Sequence, residues 1–181
     1  MFYVVTGGSG SGKSAYAESV ATGLHDNKKY GGLYYVATMY PYDDAETKNR
    51  IERHRTLRAG KGFLTVECYA DISSLSDMGS GNTILIECMS NLLANEMFLD
   101  EGHRVHDGEA VDRYIIEPLK KLIKNDNDVV VVTNEIFSDG RDKDYDRYTT
   151  TYIRLLGYIN CCMAGFADKV TEVVCGIPVD C

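Results

Sequence analysis

Short apolar runs alternate along the chain with longer segments in which apolar residues recur at helical spacing. The apolar runs predict six β-strands, at Phe2–Thr6, Leu33–Ala37, Phe63–Glu67, Thr83–Ile86, Asp128–Thr133 and Lys169–Val174. The periodic segments predict five helices, at Lys13–Gly23, Glu46–Ala59, Asn91–Leu99, Val111–Lys124 and Thr150–Ala167. This alternation is typical of βαβ units around a parallel sheet. We therefore predict an α/β fold with a mostly parallel sheet.

Three local features refine this prediction. The run Val129–Val132 is apolar on both faces of its strand, which indicates a central strand with helices on both sides of the sheet. Pro118 lies within the fourth predicted helix and predicts a kink or a division there, because proline disrupts helical hydrogen bonds. The polar segments Asp100–Gly108 and Ser138–Asp146 predict loops.

Length and composition narrow the class of protein. The 181 residues predict one domain, spanning residues 1–181. With 44% hydrophobic and 25% charged residues, the composition excludes a disordered chain, collagen and a coiled-coil rod. No window approaches the ~20 apolar residues of a membrane-spanning helix, and the N-terminus does not resemble a secretory signal. We therefore expect no membrane span and a cytoplasmic location.

Charge and cysteine usage exclude further classes. The chain has 19 Lys and Arg against 27 Asp and Glu, a formal net charge of −8, so we expect no nucleic-acid partner. None of the six cysteines forms a C-x-x-C pair, and in a cytoplasmic protein we expect free thiols.

The segment after the first predicted strand matches the phosphate-binding pattern G-x-x-x-x-G-K-[ST] in full. It consists of Gly7, Gly8, Ser9, Gly10, Ser11, Gly12, Lys13 and Ser14. Glycines let backbone N–H groups face phosphates, and a helix N-terminus favours the anion. Lys13 would contact the β- and γ-phosphates, and the Ser14 hydroxyl would bind Mg²⁺. We therefore predict a P-loop NTPase-like, RecA-like domain that binds a nucleoside triphosphate.

Two acidic residues follow predicted strands directly. Glu87 and Glu135 come after the fourth and fifth strands, and ligands of open α/β sheets bind outside the carboxyl ends of the strands. Either acid could hold Mg²⁺ directly or through water. The alternative is a solvated acid at the end of a strand.

The second predicted helix contains a histidine among arginines. Arg50, His54 and Arg58 recur every four residues and share one helical face with Glu46. Guanidinium groups neutralise phosphate oxygens and favour the unprotonated, nucleophilic imidazole, so the group suits attack on phosphorus. Spacing alone, however, favours a solvent-exposed amphipathic helix.

Together these motifs resemble a known family. Their order along the chain is T-G-G to G-K-S, Y-V-A-T at 35–38, R-I-x-x-H-R-x-x-R at 50–58, T-V-E at 65–67, I-L-I-E-C at 84–88 and T-N-E at 133–135. This combination resembles the adenosylcobinamide kinase/adenosylcobinamide-phosphate guanylyltransferase family of cobalamin biosynthesis.

The resemblance implies a bifunctional enzyme. A nucleoside triphosphate, ATP or GTP, would phosphorylate adenosylcobinamide. His54 would then take the guanylyl group of GTP covalently and pass it to adenosylcobinamide phosphate. Matching positions place Thr38, Arg55, Arg58, Glu67 and Glu87 at the guanine nucleotide. The resemblance also implies a homotrimer and Mg²⁺, for which Ser14 and Glu87 are the candidate ligands.

Two alternatives remain open from the sequence. Family members usually have arginine at the position of Gly10, and the segment Ser138–Asp146 replaces a glycine-rich stretch. One alternative is another P-loop kinase or NTPase that forms no covalent intermediate. The other is a catalytically idle nucleotide-binding protein.

Overall fold

The computed structural model describes residues 1–99, 104–138 and 145–181. These residues contain a seven-stranded sheet in the order β3-β2-β4-β5-β1-β6-β7. The first six strands are parallel to one another where they pair, and β7 is antiparallel to β6. The strands are β1 Phe2–Thr6, β2 Leu33–Ala37, β3 Leu64–Glu67, β4 Thr83–Ile86, β5 Asp128–Val132, β6 Lys169–Val174 and β7 Ile177–Asp180.

Every predicted helix is present, with its limits shifted by a few residues. The helices are α1 Lys13–Asp26, α2 Ala45–Arg58, α3 Met89–Phe98, α4 Gly108–Val111, α5 Glu117–Lys124 and α6 Arg147–Phe166. A 3₁₀ helix at Ile72–Met78, which the periodicity did not indicate, precedes β4. All six cysteines are free.

The sheet separates two hydrophobic clusters, because successive strand residues point to opposite faces. Val130 and Val132 of β5 pack on the side of α1, with Ala17 and Ala21 of that helix. Their neighbours Val129 and Val131 belong to the larger cluster on the opposite face, which α3 to α6 cover. The prediction of a central strand between two helical layers is therefore confirmed.

The helix around Pro118 is continuous in direction but changes its hydrogen-bond pattern. A π-helical turn, Asp112–Ile116, joins α4 to α5. The Glu117 N–H donates to the Asp112 carbonyl, five residues earlier. Pro118 then lies at the start of α5, where its missing N–H costs least. The predicted division thus takes the form of a widened turn.

Strand β7 was missed by the sequence prediction. It has only four residues and contains Pro178, which normally argues against a strand except at an edge. Cys175 and Gly176 connect it to β6, and both have positive φ, 51° and 83°. Such two-residue turns match the twist of antiparallel hairpins.

The predicted loops are covered only in part. Residues 100–103 and 139–144 lie outside the described residues. In the described parts, Asp107 Oδ1 accepts from Ala110 N at 2.8 Å, and Asp146 Oδ1 accepts from Tyr148 N at 2.7 Å. Both aspartates are N-caps, of α4 and α6. No described helix is long and apolar enough to cross a membrane.

The larger cluster should dominate stability. Leu156 of α6 is fully buried, so we expect Leu156→Ala to lower the free energy of unfolding by about 2–5 kcal/mol. Leu57→Ala is the matched control, because Leu57 is 43% exposed, and it should change stability by less than about 0.5 kcal/mol. Urea denaturation measures both, and similar losses would contradict the assigned core.

Candidate functional site

The predicted phosphate loop lies between the carboxyl end of β1 and the first turn of α1. Gly10 and Gly12 have φ of +71° and +91°, a conformation that side chains other than glycine rarely adopt. Gly12 is the N-cap of α1, and Ser14 lies in its first turn. The Lys13 ammonium donates to the Gly8 carbonyl at 3.0 Å, which folds it over the loop.

The hairpin of β6 and β7 supports this loop from behind. A Cβ on Gly7 would lie 2.5 Å from the Val173 carbonyl oxygen, so only glycine fits there. Gly176 N donates to the Ser11 carbonyl at 2.8 Å. Sequence reasoning missed this support, and its only local signal was the Cys175-Gly176 turn.

The loop lysine is close to the next strand end. Burial lowers the pKa of Lys13 from its ordinary value, and the neighbouring Cys88 sulfur opposes that shift. Cys88 directly follows Glu87, so the loop borders the residues at the end of β4. The Asn134 amide also donates to the Cys88 sulfur at 3.8 Å.

Helix α2 is attached to the sheet by few apolar contacts. Asp44 caps it by accepting from Thr47 N at 2.8 Å, but none of its residues is buried. His54 and Arg58 are half-buried on its inner side, with Ile51, whereas Arg50 is exposed. The inner face therefore differs from the predicted stripe at Arg50.

His54 contacts two side chains at the carboxyl edge of the sheet. Its Nδ1 lies 3.3 Å from Glu87 Oε1 and 3.3 Å from the Tyr35 hydroxyl. The His54 side chain is 21% exposed, whereas that of Glu87 is 6% exposed. Among the described residues, no hydrogen-bond partner faces Nε2, the other ring nitrogen. The imidazole is thus held through one nitrogen only.

Glu87 is itself anchored by the neighbouring strand. Its second oxygen, Oε2, accepts from Thr38 N at 3.1 Å. Thr38 is fully buried; its carbonyl accepts from the Asn95 amide at 2.8 Å, and its hydroxyl donates to the Cys88 carbonyl at 3.0 Å. Thr38 therefore contacts Glu87 from behind the site.

Tyr35, which sequence reasoning did not select as a site residue, completes the surroundings of the imidazole. Burial, and after it the Glu87 carboxylate, raises the pKa of Tyr35, so its hydroxyl keeps its proton. The Arg58 guanidinium lies 4.3 Å from the centre of the Tyr35 ring, within cation–π distance. The motif Y-V-A-T was the available signal, but it does not show which side chain meets the histidine.

A cavity of about 150 Å³ opens beside His54 and Glu87, and a wider one of about 500 Å³ adjoins it. Both are lined by four residues: Arg55, Arg58, Thr65 and Glu67. Arg55 lies 3.9 Å from Glu67 with both side chains more than half exposed, a weak ion pair that leaves the guanidinium available to an anion. Tyr69 donates to Glu67 at 2.9 Å, and burial raises the pKa of Tyr69 to about 12.

The loop that follows α2 contacts the helix of the phosphate loop. Lys61 forms an ion pair with Glu18 of α1, whose side chain is 1% exposed. The other Glu18 oxygen is buried with no hydrogen-bond partner among the described residues. Gly60 and Gly62 flank Lys61 with positive φ and line the wider cavity. This pair therefore joins the two parts of the site.

Glu135 has a structural environment. Its Oε1 accepts from Phe137 N at 2.8 Å and Ser138 N at 3.0 Å, and its own N–H donates to the Gly7 carbonyl at 3.1 Å. The carboxylate therefore closes its own turn while the backbone fixes the start of the phosphate loop.

The structure groups the predicted site residues into two sets on one edge of the sheet. The first is the phosphate loop, Gly7 to Ser14. The second consists of His54, Arg55, Arg58, Glu67 and Glu87 around the cavities. Strand β4 is two positions from β1, which corresponds to about 10 Å. Within the described residues, no cluster of three or more His, Cys, Asp and Glu could hold a metal ion.

Fold and site together define a P-loop α/β protein of the RecA-like type. A solved structure of a phosphate-loop ATPase domain has a similar fold: its TM-score is 0.54 at 10% sequence identity, with 94% of this chain and 68% of that chain covered. The sequence identifies the family. The family model "Cobinamide kinase / cobinamide phosphate guanyltransferase" matches residues 3–181, and the chain belongs to this family.

Two curated relatives agree with this assignment. Both are named "Bifunctional adenosylcobalamin biosynthesis protein CobU". The protein from Salmonella typhimurium is 31% identical and that from Escherichia coli 30%, each over 188 residues that cover 99% of this chain and 98% of the relative. The chain is therefore an enzyme of the kinase and nucleotidyltransferase type.

The ion pair between Glu18 and Lys61 gives a stability prediction. Lys61→Met should lower the free energy of unfolding by about 2 kcal/mol, because it leaves a buried carboxylate unpaired. The double variant Glu18→Gln/Lys61→Met should recover at least about 1 kcal/mol of that loss. Urea denaturation of the wild type, both single variants and the double variant measures the coupling. Additive losses would show that the pair contributes nothing.

Proposed function

We propose that this enzyme performs two successive reactions in cobalamin biosynthesis. It phosphorylates adenosylcobinamide with ATP or GTP, and it then transfers the guanylyl group of GTP to adenosylcobinamide phosphate. In the second reaction, His54 attacks the α-phosphorus of GTP, expels pyrophosphate and forms a covalent guanylyl-histidine. The phosphate of the substrate then displaces His54.

The position of His54 is the observation that supports this proposal. A half-buried imidazole with one unpartnered nitrogen lines a cavity together with Arg55 and Arg58 in the described part of the chain. Guanidinium groups neutralise phosphate oxygens, which lowers the charge barrier to attack by a nitrogen nucleophile. Glu67 on the same wall adds an acceptor that suits the N–H groups of guanine.

The phosphate loop would serve the triphosphate end of the nucleotide. The backbone N–H groups of Gly7 to Ser14 and the N-terminus of α1 favour bound phosphate. Lys13 would exchange its contact with Gly8 for the β- and γ-phosphates. The same loop would position a γ-phosphate for transfer to the hydroxyl of adenosylcobinamide.

The residues fit Mg²⁺ in part. The Ser14 hydroxyl lies in the first turn of α1, where it would hold the ion together with phosphate oxygens. Both Glu87 oxygens already have polar partners, so Glu87 would reach the ion only through water. When bound, Mg²⁺ would neutralise charge on the phosphates.

Assembly and location are part of the proposal. The family resemblance supports a homotrimer and a cytoplasmic enzyme. Sedimentation of the purified chain measures the first directly.

Labelling with GTP tests the covalent step. Protein incubated with α-labelled GTP should acquire acid-labile, alkali-stable label and release pyrophosphate, because a phosphoramidate has this stability. His54→Ala should abolish the label. His106→Ala is the matched control, because His106 is 76% exposed and lies outside both cavities, and it should be labelled like the wild type.

Other results would favour one of the two alternatives. Phosphoryl transfer with no label on the protein would indicate a P-loop kinase that transfers phosphate directly. Tight GTP binding with no pyrophosphate release, even with adenosylcobinamide phosphate present, would indicate an idle nucleotide-binding protein.

A further inference from the structure

We propose that Nε2 is the atom of His54 that becomes guanylylated and that Glu87 is the residue that positions it. This inference rests on the proposed function and adds the identity of the reacting nitrogen and of its positioning residue. The contact between His54 Nδ1 and Glu87 Oε1 supplies both parts of the argument.

The protonation of the ring follows from its partners. A carboxylate only accepts hydrogen bonds, so the nitrogen 3.3 Å from Glu87 must carry a proton. Tyr35 does not reverse this assignment. Its hydroxyl keeps its proton and interacts with Glu87, so its oxygen lone pairs remain available to Nδ1–H. In the neutral ring, Nε2 therefore holds the lone pair.

The geometry fixes the direction of this nitrogen. Glu87 cannot follow the ring freely, because Thr38 N holds its second oxygen at 3.1 Å and the side chain is 6% exposed. With Nδ1 held from the sheet side, the ring presents its other nitrogen away from Glu87, and His54 lines the cavity that Arg55 and Arg58 also line. Nε2 is thus the nitrogen available to a phosphorus atom bound there.

The charges balance through the reaction. The Nε2 lone pair forms the bond to the α-phosphorus, and the bond from phosphorus to the bridging oxygen breaks, so its electron pair leaves with pyrophosphate. The Nδ1 proton stays in place, and the ring becomes cationic. Glu87, an anion in direct contact with Nδ1–H, stabilises that cation. In the second step the N–P bond breaks and its electron pair returns to Nε2.

Identification of the modified nitrogen tests the first part without any variant. Wild-type protein with ¹⁵N-labelled histidine is guanylylated with GTP and unfolded in alkali, where the bond persists. Spectra that correlate ³¹P with ¹⁵N should place the phosphorus on the nitrogen that correlates with both ring protons, which is Nε2. Phosphorus on Nδ1, which is adjacent to only one C–H group, would overturn the inference and leave the proposed function intact.

The variant Glu87→Gln tests the positioning role. Its amide oxygen can still accept from Thr38 N, but its NH₂ group would face Nδ1 and favour the tautomer with the proton on Nε2. We expect the single-turnover rate of guanylylation at saturating GTP to fall by about 10- to 100-fold. The dissociation constant for GTP should stay close to the wild-type value. The ¹⁵N shifts of His54 should report the exchanged tautomer.

Two further variants complete the experiment. Glu52→Gln makes the same change at an exposed position of α2 and should leave the rate unchanged. Tyr35→Phe keeps the ring beside Arg58 and should cost less than Glu87→Gln. Wild-type speed in Glu87→Gln, or weakened GTP binding with a normal rate at saturation, would overturn the positioning role. Absence of label on the wild type would overturn the proposed function and this inference with it.

Discussion

The buried carboxylate of Glu87 is the constraint on which the candidate site depends. An ionised group at 6% exposure needs partners, and it finds them in the backbone that follows β2 and in the imidazole of α2. The parallel pairing of β2 with β4 sets the first partner, because Ile86 is opposite Val36 and the chains continue side by side. The second partner brings His54 to the sheet.

This contact matters because α2 lacks the apolar stripe with which helices usually attach to a core. None of its residues is buried, and its inner side is held by the contact of His54 with Glu87 and by Arg58, which contacts Tyr35 and Thr65. A helix attached this way has low local stability, and its position depends on the charges around it. The groups that hold α2 are thus the groups that a nucleotide would contact.

The fold was more predictable than the site. Continuous valine runs and a complete phosphate-loop motif indicated the sheet and its first helix, since both patterns are local. Strand β7 was not predictable, because Pro178 argues against a strand until the edge position is known. The contact of Tyr35 with His54 joins residues 19 positions apart on different elements, and no periodicity contains that information. The spacing of Arg50, His54 and Arg58 predicted one face, but how α2 lies on the sheet left Arg50 exposed.

Gly10 shows how local conformation and charge oppose each other in this loop. Its φ of +71° is a left-handed value, which costs other residues roughly 1–2 kcal/mol. No atom of the described residues lies within 4 Å of the position where its Cβ would be, so a longer side chain would meet strain but no collision. Glycine removes that strain and leaves Lys13 as the single cation in the motif. Neutralisation of the remaining phosphate charge then falls to backbone N–H groups and to cations outside the loop. Arg55 and Arg58, on the helix that Glu87 holds through His54, are placed for that role.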